Sequence, residues 1–190
     1  DICRELIKSG FNKKIRYDIK DRVRYYDDEL AKLLVESGCE WVKVGVETSD
    51  PITQKYIDKS TDYYKEIEKM KLIKKYGLKL GFYMISGIPG ETTKTHWLNA
   101  KFYVDSGADG YSIGPLFIMP GSPLYYRLKI KNLIIDEDWT VYRNKEKLSY
   151  INSSYKTIEE IYRKQKFMSY FVIIYRFFRY FQIRVGEFGK

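Results

Sequence analysis

Residues 81–92 read GFYMISGIPGET. An apolar run stops at Gly87, turns through Pro89 and Gly90, and continues into a carboxylate and a hydroxyl. Such a stretch reads as a buried strand, a tight turn at its carboxyl end, and the entry to the next helix. The same unit recurs on either side. KKIRYDIKD (13–21), WVKVGVE (41–47), LKLGFYMIS (78–86) and DGYSIGPLF (109–117) read as strands. Between them lie DDELAKLLVESG (27–38), a helical region over 51–76 broken near residues 60–62, and TTKTHWLNAKFYVDSG (92–107).

Strand starts recur at intervals of roughly 30 residues, the size of one βα unit. That order predicts an α/β fold with a parallel sheet and right-handed crossovers. A partial or closed (β/α) barrel and an open doubly wound sheet both satisfy it. DICRELIKSG (1–10) opens inside a helix that Gly10 stops. After a mostly irregular stretch over 132–154, residues 156–184 read as one long helix rich in Phe and Tyr. Its longest uncharged run, FMSYFVIIY, is about half of what a membrane span requires. Packing against the barrel or another domain is the reading there, with peripheral membrane contact ranked below it.

Composition narrows the classes. The 190 residues suffice for one domain with its own core. A balance of 34 Lys+Arg against 25 Asp+Glu gives +9, yet the lysines are scattered, so a solvated surface is expected and nucleic acid is disfavoured as a partner. Two cysteines, Cys3 and Cys39, form no clustered motif, which points to a reduced, cytoplasmic protein. His96 is the single histidine, so no His-rich metal site can be built from this chain.

Strand parity places the chemistry. Val42, Val44 and Val46 share one face of their strand, and Trp41, Lys43, Gly45 and Glu47 the other. Arg16, Asp18, Lys20 and Arg22 oppose Ile15, Tyr17 and Ile19, while Lys79, Gly81, Tyr83, Ile85 and Gly87 oppose Leu78, Leu80, Phe82 and Met84. Sheets buried on both sides read apolar throughout, so a recurring polar face predicts a ligand-holding lumen. Ligands gather at the carboxyl ends of parallel strands. Here those ends are Asp21–Arg22, GVETSD (45–50), GIPGET (87–92) and PLFIMPGSP (115–123). Gly87 and Gly90 let backbone approach a ligand, and Glu47 and Glu91 can accept from a ribose or an ammonium group. A competing role for Glu91 is a first-turn helix charge.

ISGIPGET after a strand, GVETSD at the preceding strand end, Arg22 ahead of YYDDELAKLLVESGC, and PLFIMPGSPLY after the last strand together resemble the radical S-adenosylmethionine enzymes. The nearest group is the one in which this catalytic domain follows a cobalamin-binding domain. The resemblance implies a partial (β/α) TIM-like barrel of six strands, of which residues 1–126 would supply about four, with 127–190 a helical extension. It implies S-adenosylmethionine as cofactor, Glu47 near its methionine or ribose, and Ile85, Gly87, Pro89, Gly90 and Glu91 as a wall near the adenine. Leu116 and Phe117 would contact the same base. Arg22 would be a polar cofactor-site group and Tyr83 a substrate-facing one.

The CxxxCxxC loop that holds the family's 4Fe–4S cluster has no counterpart here. The expectation is therefore the C-terminal portion of a longer oxidoreductase or methyltransferase, inactive alone, with cluster ligands and any cobalamin domain in a missing N-terminal half. A small-molecule substrate is implied. The alternatives are a stand-alone α/β nucleotide-binding module and a tRNA methylthiotransferase-like enzyme.

Overall fold

A computed structural model describes residues 1–59, 62–135, 148 and 150–188, with side chains through residue 182. The elements are α1 (Ile2–Lys8), β1 (Tyr17–Asp21), α2 (Asp28–Glu36), β2 (Cys39–Glu47), α3 (Pro51–Tyr56), α4 (Tyr63–Lys75), β3 (Lys79–Ser86), α5 (Thr93–Asp105), β4 (Gly110–Pro115), α6 (Pro123–Ile130) and α7 (Ile158–Phe188). The expected α/β alternation is therefore present. The sheet order is β1-β2-β3-β4, and β1–β2 and β2–β3 pair in parallel. Asp109 N–H donates to Leu80 O and Leu116 N–H to Ser86 O, each at 2.8 Å, so β4 advances in the same direction as β3.

Local chemistry sets the boundaries. Asp27 caps α2 by accepting from Leu30 N–H at 2.8 Å, Asp50 caps α3 ahead of Pro51, and Ser122 caps α6 ahead of Pro123. β1 is shorter than the sequence suggests. Gly10 adopts φ 73° and starts a 3₁₀ turn over Phe11–Lys13, which removes residues 13–16 from the strand. The helical region over 51–76 divides into α3 and α4, and its break at 60–61 lies outside the described residues. So does most of the irregular stretch expected over 132–154. Residues 123–130 form α6, which runs across position 126.

The chain forms two compact units. One comprises Asp1–Glu47, Thr61–Met84 and Lys101–Ser112. In its core Val42 and Val44 of β2 and Leu80 and Phe82 of β3 are buried with Ala31, Leu34, Met70 and Ile73. Phe82 meets Phe102 and Tyr103 at ring separations of 5.7 and 5.8 Å, within the range of favourable aromatic contact. The other unit comprises Thr48–Ser60, Ile85–Ala100 and Ile113–Lys190. Its core joins Ile88, Leu116, Ile118, Tyr125, Leu128 and Tyr150. Ile158, Ile161, Met168 and Val172 of α7 are buried as well. Among the described residues no helix is long and apolar enough to cross a membrane.

Candidate functional site

The parity read from the sequence holds in the first unit. Val42, Val44 and Val46 are buried, whereas Trp41, Lys43, Gly45 and Glu47 are half-buried on the opposite face. That face carries its own electrostatics. Lys43 Nζ lies 2.6 Å from Asp18 Oδ2, and Lys20 Nζ stands 5.0 Å from the centre of the Tyr83 ring. A small cavity of about 150 Å³ opens beside Lys43, Gly81, Tyr83, Gly110 and Ser112.

Glu47 ends β2 in a strained conformation. Its φ is 62°, a left-handed value that costs a residue with a Cβ about 1–2 kcal/mol. The β2–β3 register slips between Gly45 and Glu47, which turns the strand end. The Glu47 side chain lies over Gly45, where a Cβ would stand 2.6 Å from Glu47 Oε1. The carboxylate thus lies back over the polar face rather than trailing into the following loop. Strain of this kind, held in place by its surroundings, concentrates at functional positions. Arg22 is exposed, and its backbone N–H donates to Asp21 Oδ1 at 2.7 Å as the chain leaves β1.

In the second unit the GIPGET turn is clasped by the chain itself. Glu91 is 5% exposed. Its Oε2 accepts from Gly87 N–H at 2.7 Å and Ile88 N–H at 3.3 Å. Its Oε1 accepts from Ser86 Oγ at 3.0 Å and Tyr155 OH at 2.7 Å, and lies 3.0 Å from His96 Nε2. Burial, then the neighbouring carboxylate, push the Tyr155 phenol well above its ordinary range, so it stays a donor. Glu91 precedes α5 rather than joining its first turn, and its lone pairs go to the turn that it closes.

The glycines have specific neighbours too. Gly87, at φ 84°, leaves the space that Ile161 fills, since a Cβ there would come 2.5 Å from Ile161 Cδ1. Its carbonyl accepts from Tyr150 OH at 3.0 Å and Asn152 Nδ2 at 2.6 Å. Gly90, at φ 90°, donates its N–H to Ser154 Oγ at 2.9 Å. The 150–161 segment thus fills the space beside Gly87 and takes the Gly90 N–H, while a Cβ at Gly90 would meet Ile52 Cγ2 at 3.2 Å. Pro89 is buried between them; Leu116 is buried, and Ile85 and Phe117 are half-buried.

Several polar residues escaped the sequence reading. Asn99 Oδ1 accepts from Ser49 N–H at 2.7 Å and Ser49 Oγ at 2.9 Å, and Thr95 Oγ1 donates to Asp50 Oδ2 at 2.5 Å. The signal for Asp50 was available as a cap immediately before Pro51. Nothing local announces the YINSSY clasp at 150–155. Beside the turn, Ile52, Lys55, Pro89, Gly90, Arg127 and Lys131 line an open cleft of about 420 Å³. Arg127 Nη1 lies 2.9 Å from Asp58 Oδ2, and its Nη2 donates to the Tyr56 carbonyl.

Comparison with known proteins gives these features a context. The family model described as the Radical SAM superfamily matches residues 1–102. An uncharacterized methyltransferase of Pyrococcus horikoshii is 28% identical over 143 residues, covering 75% of this chain and 30% of that protein. The chain thus spans less than a third of that relative's length. Among solved structures, the radical S-adenosylmethionine methyltransferase TsrM of Kitasatospora setae, with cobalamin and a [4Fe-4S] cluster bound, gives a TM-score of 0.60 at 18% identity. That match covers 68% of this chain and 27% of TsrM. Elp3 of Methanocaldococcus infernus gives 0.54 at 22% identity, over 62% of this chain and 28% of its own. These likenesses bear out the fold: four βα units of a partial (β/α) barrel, followed by a C-terminal helix.

The donor set can be tested against a cluster. Iron–sulfur clusters are held by Cys thiolates. Cys39 is buried, its thiol 3.5 Å from Trp41 O, and burial, then Asp18, push it up to about 11. Cys3 Sγ lies 3.5 Å from Tyr17 OH. No group of three or more His, Cys, Asp or Glu poised for a metal occurs among the described residues. Two cysteines so placed do not fit a 4Fe–4S cluster.

Proposed function

This chain belongs to the radical SAM superfamily, and from that premise we propose that it supplies the S-adenosylmethionine and substrate wall of a methyl-transferring enzyme. The cluster thiolates would come from residues outside these 190, as the cysteine count and the relative's greater length support. The observation that carries the reading is Glu47, held at φ 62° with its carboxylate over Gly45 on the polar face. A carboxylate fixed there can accept from a ribose hydroxyl or an ammonium group without reorganising when the ligand arrives.

Arg22 and Tyr83 are proposed as further polar contacts, Tyr83 toward the substrate. Ile85, Leu116 and Phe117 are the proposed adenine contacts, and Gly87, Pro89, Gly90 and Glu91 are proposed to shape the turn behind them. Glu91 acts there by holding the turn's shape rather than by touching ligand, because its oxygens serve Gly87, Ile88, Ser86 and Tyr155. Bound S-adenosylmethionine supplies the activated methyl or adenosyl group; this chain's part is orientation and exclusion of water. Cobalamin as a methyl carrier is the version that the family resemblance favours, with a small molecule as acceptor.

Equilibrium dialysis of S-adenosylmethionine against the product of the full reading frame, reconstituted anaerobically, tests this. Glu47→Gln weakens binding about tenfold, a little over 1 kcal/mol, while Lys65→Gln leaves it unchanged. Equal affinity for wild type and Glu47→Gln overturns the assignment.

A further inference from the structure

One face of α7 is buried and the other is exposed among the described residues. Ile161, Met168 and Val172 are buried, and Phe171 and Tyr175 each meet the Trp97 ring edge-on at 5.5 Å. Round the helix from these, Tyr170, Ile173, Ile174, Phe177 and Phe181 are 42–67% exposed. Their spacing follows the helical repeat, so they form a single stripe. It runs for about 17 Å at 1.5 Å per residue. Phe178 and Tyr180 flank it, 57% and 53% exposed. Five rings exposed to this degree leave roughly 500 Å² of largely apolar surface in water. Patches of that size are often functional.

The charge on this helix is one-sided. Between Glu160 and Glu187 there is no acidic residue, but Arg163, Lys164, Lys166, Arg176, Arg179 and Arg184 all fall there. The six cations equal two thirds of the chain's net charge of +9. Arg163 and Lys166 are exposed one to two turns before the stripe.

We propose that α7 lies along an anionic phospholipid surface, with the stripe from Tyr170 to Phe181 sunk to the headgroup boundary. The helix does not meet the requirement for a span, so it rests on the bilayer rather than crossing it. Apolar area and attraction to anionic lipid together give such helices their affinity, and this face offers both. A protein partner is the weaker fit. Protein interfaces carry about one hydrogen bond per 100–200 Å². From Tyr170 to Phe181 the stripe's neutral polar groups are tyrosine hydroxyls alone, where a headgroup region takes aromatic rings and cations directly.

Flotation of the full reading-frame product with lipid vesicles tests the proposal. Vesicles of phosphatidylcholine with about one third phosphatidylserine retain the chain at least about tenfold better than phosphatidylcholine alone, and raising salt from about 0.05 to about 0.5 M releases it. The exposed pair Phe177→Ser and Phe181→Ser abolishes retention with the circular dichroism spectrum unchanged. Arg163→Glu with Lys166→Glu weakens it only on anionic vesicles. Retention that ignores lipid charge overturns the proposal, as does no retention at all. A concentration-dependent dimer abolished by the two Phe substitutions would assign the face to a second copy instead.

Discussion

Replacing Glu91 by alanine removes the acceptor around which the GIPGET turn is organised. In wild type one carboxylate receives two backbone N–H groups, from Gly87 and Ile88, and two hydroxyls, from Ser86 and Tyr155. All four contacts are buried. The hydroxyls can partly re-pair, since Tyr155 OH already stands 3.4 Å from His96 Nε2. The two N–H groups cannot rotate, and each buried unsatisfied donor costs about 1–3 kcal/mol. With the lost charge-assisted bonds the expected cost is about 3–5 kcal/mol, the range for removing one partner from a buried charged network. That is a large share of the roughly 5–15 kcal/mol that holds a domain folded. Urea unfolding followed by tryptophan fluorescence reads the total, and hydrogen exchange at the Gly87 and Ile88 amides reads the local part. Glu91→Gln keeps one acceptor oxygen and costs about 1–3 kcal/mol. If Glu91→Ala costs under about 1 kcal/mol with exchange at both amides unchanged, the turn is not held as argued.

Gly87→Ala combines a left-handed φ of 84° with a Cβ 2.5 Å from Ile161 Cδ1. It is expected to cost about 2–4 kcal/mol, of which Ile161→Val restores the steric part, measured as a double-mutant cycle. Arg127→Met removes the link from α6 to Asp58 and the Tyr56 carbonyl and is expected to cost about 1 kcal/mol by thermal unfolding. Burial, then Asp18, push the folded Cys39 thiol up to about 11 from the ~8.5 of an unfolded chain, so its contribution is whole below pH ~8.5 and lost as pH rises toward 11. Cys39→Ala flattens the stability-against-pH profile in that window, and thiol titration at pH about 8 finds Cys39 unreactive until urea is added.

How far the sequence reaches depends on whether a signal is local. The βα alternation and the face parity of β2 are periodic, and Val42, Val44 and Val46 are buried as their spacing requires. Alternation alone would start β1 at Lys13, but the pull of Gly10 into a left-handed turn outweighs the alternation of KKIR. Ser122–Pro123 is a cap followed by a first-turn proline, which signals the start of α6, but the short run after it shows little amphipathic contrast. That Gly87 needs a positive φ is legible in the turn. That Ile161 occupies its vacated space, and that Tyr155 lies against Glu91, depend on residues more than 60 positions away. Glu47 was legible as a carboxylate at a strand end, but its left-handed backbone and its fold over Gly45 arise from a register slip that no residue pattern states.

Consumption of S-adenosylmethionine after anaerobic reconstitution with iron and sulfide tests the central claim most directly, because it registers methyl transfer and homolysis alike. The full reading-frame product is predicted to load a cluster and consume S-adenosylmethionine under reduction, with Glu47→Gln slowing it, while the 190-residue chain binds no stoichiometric iron. A 4Fe–4S spectrum and S-adenosylmethionine turnover from the 190-residue chain alone would contradict the account.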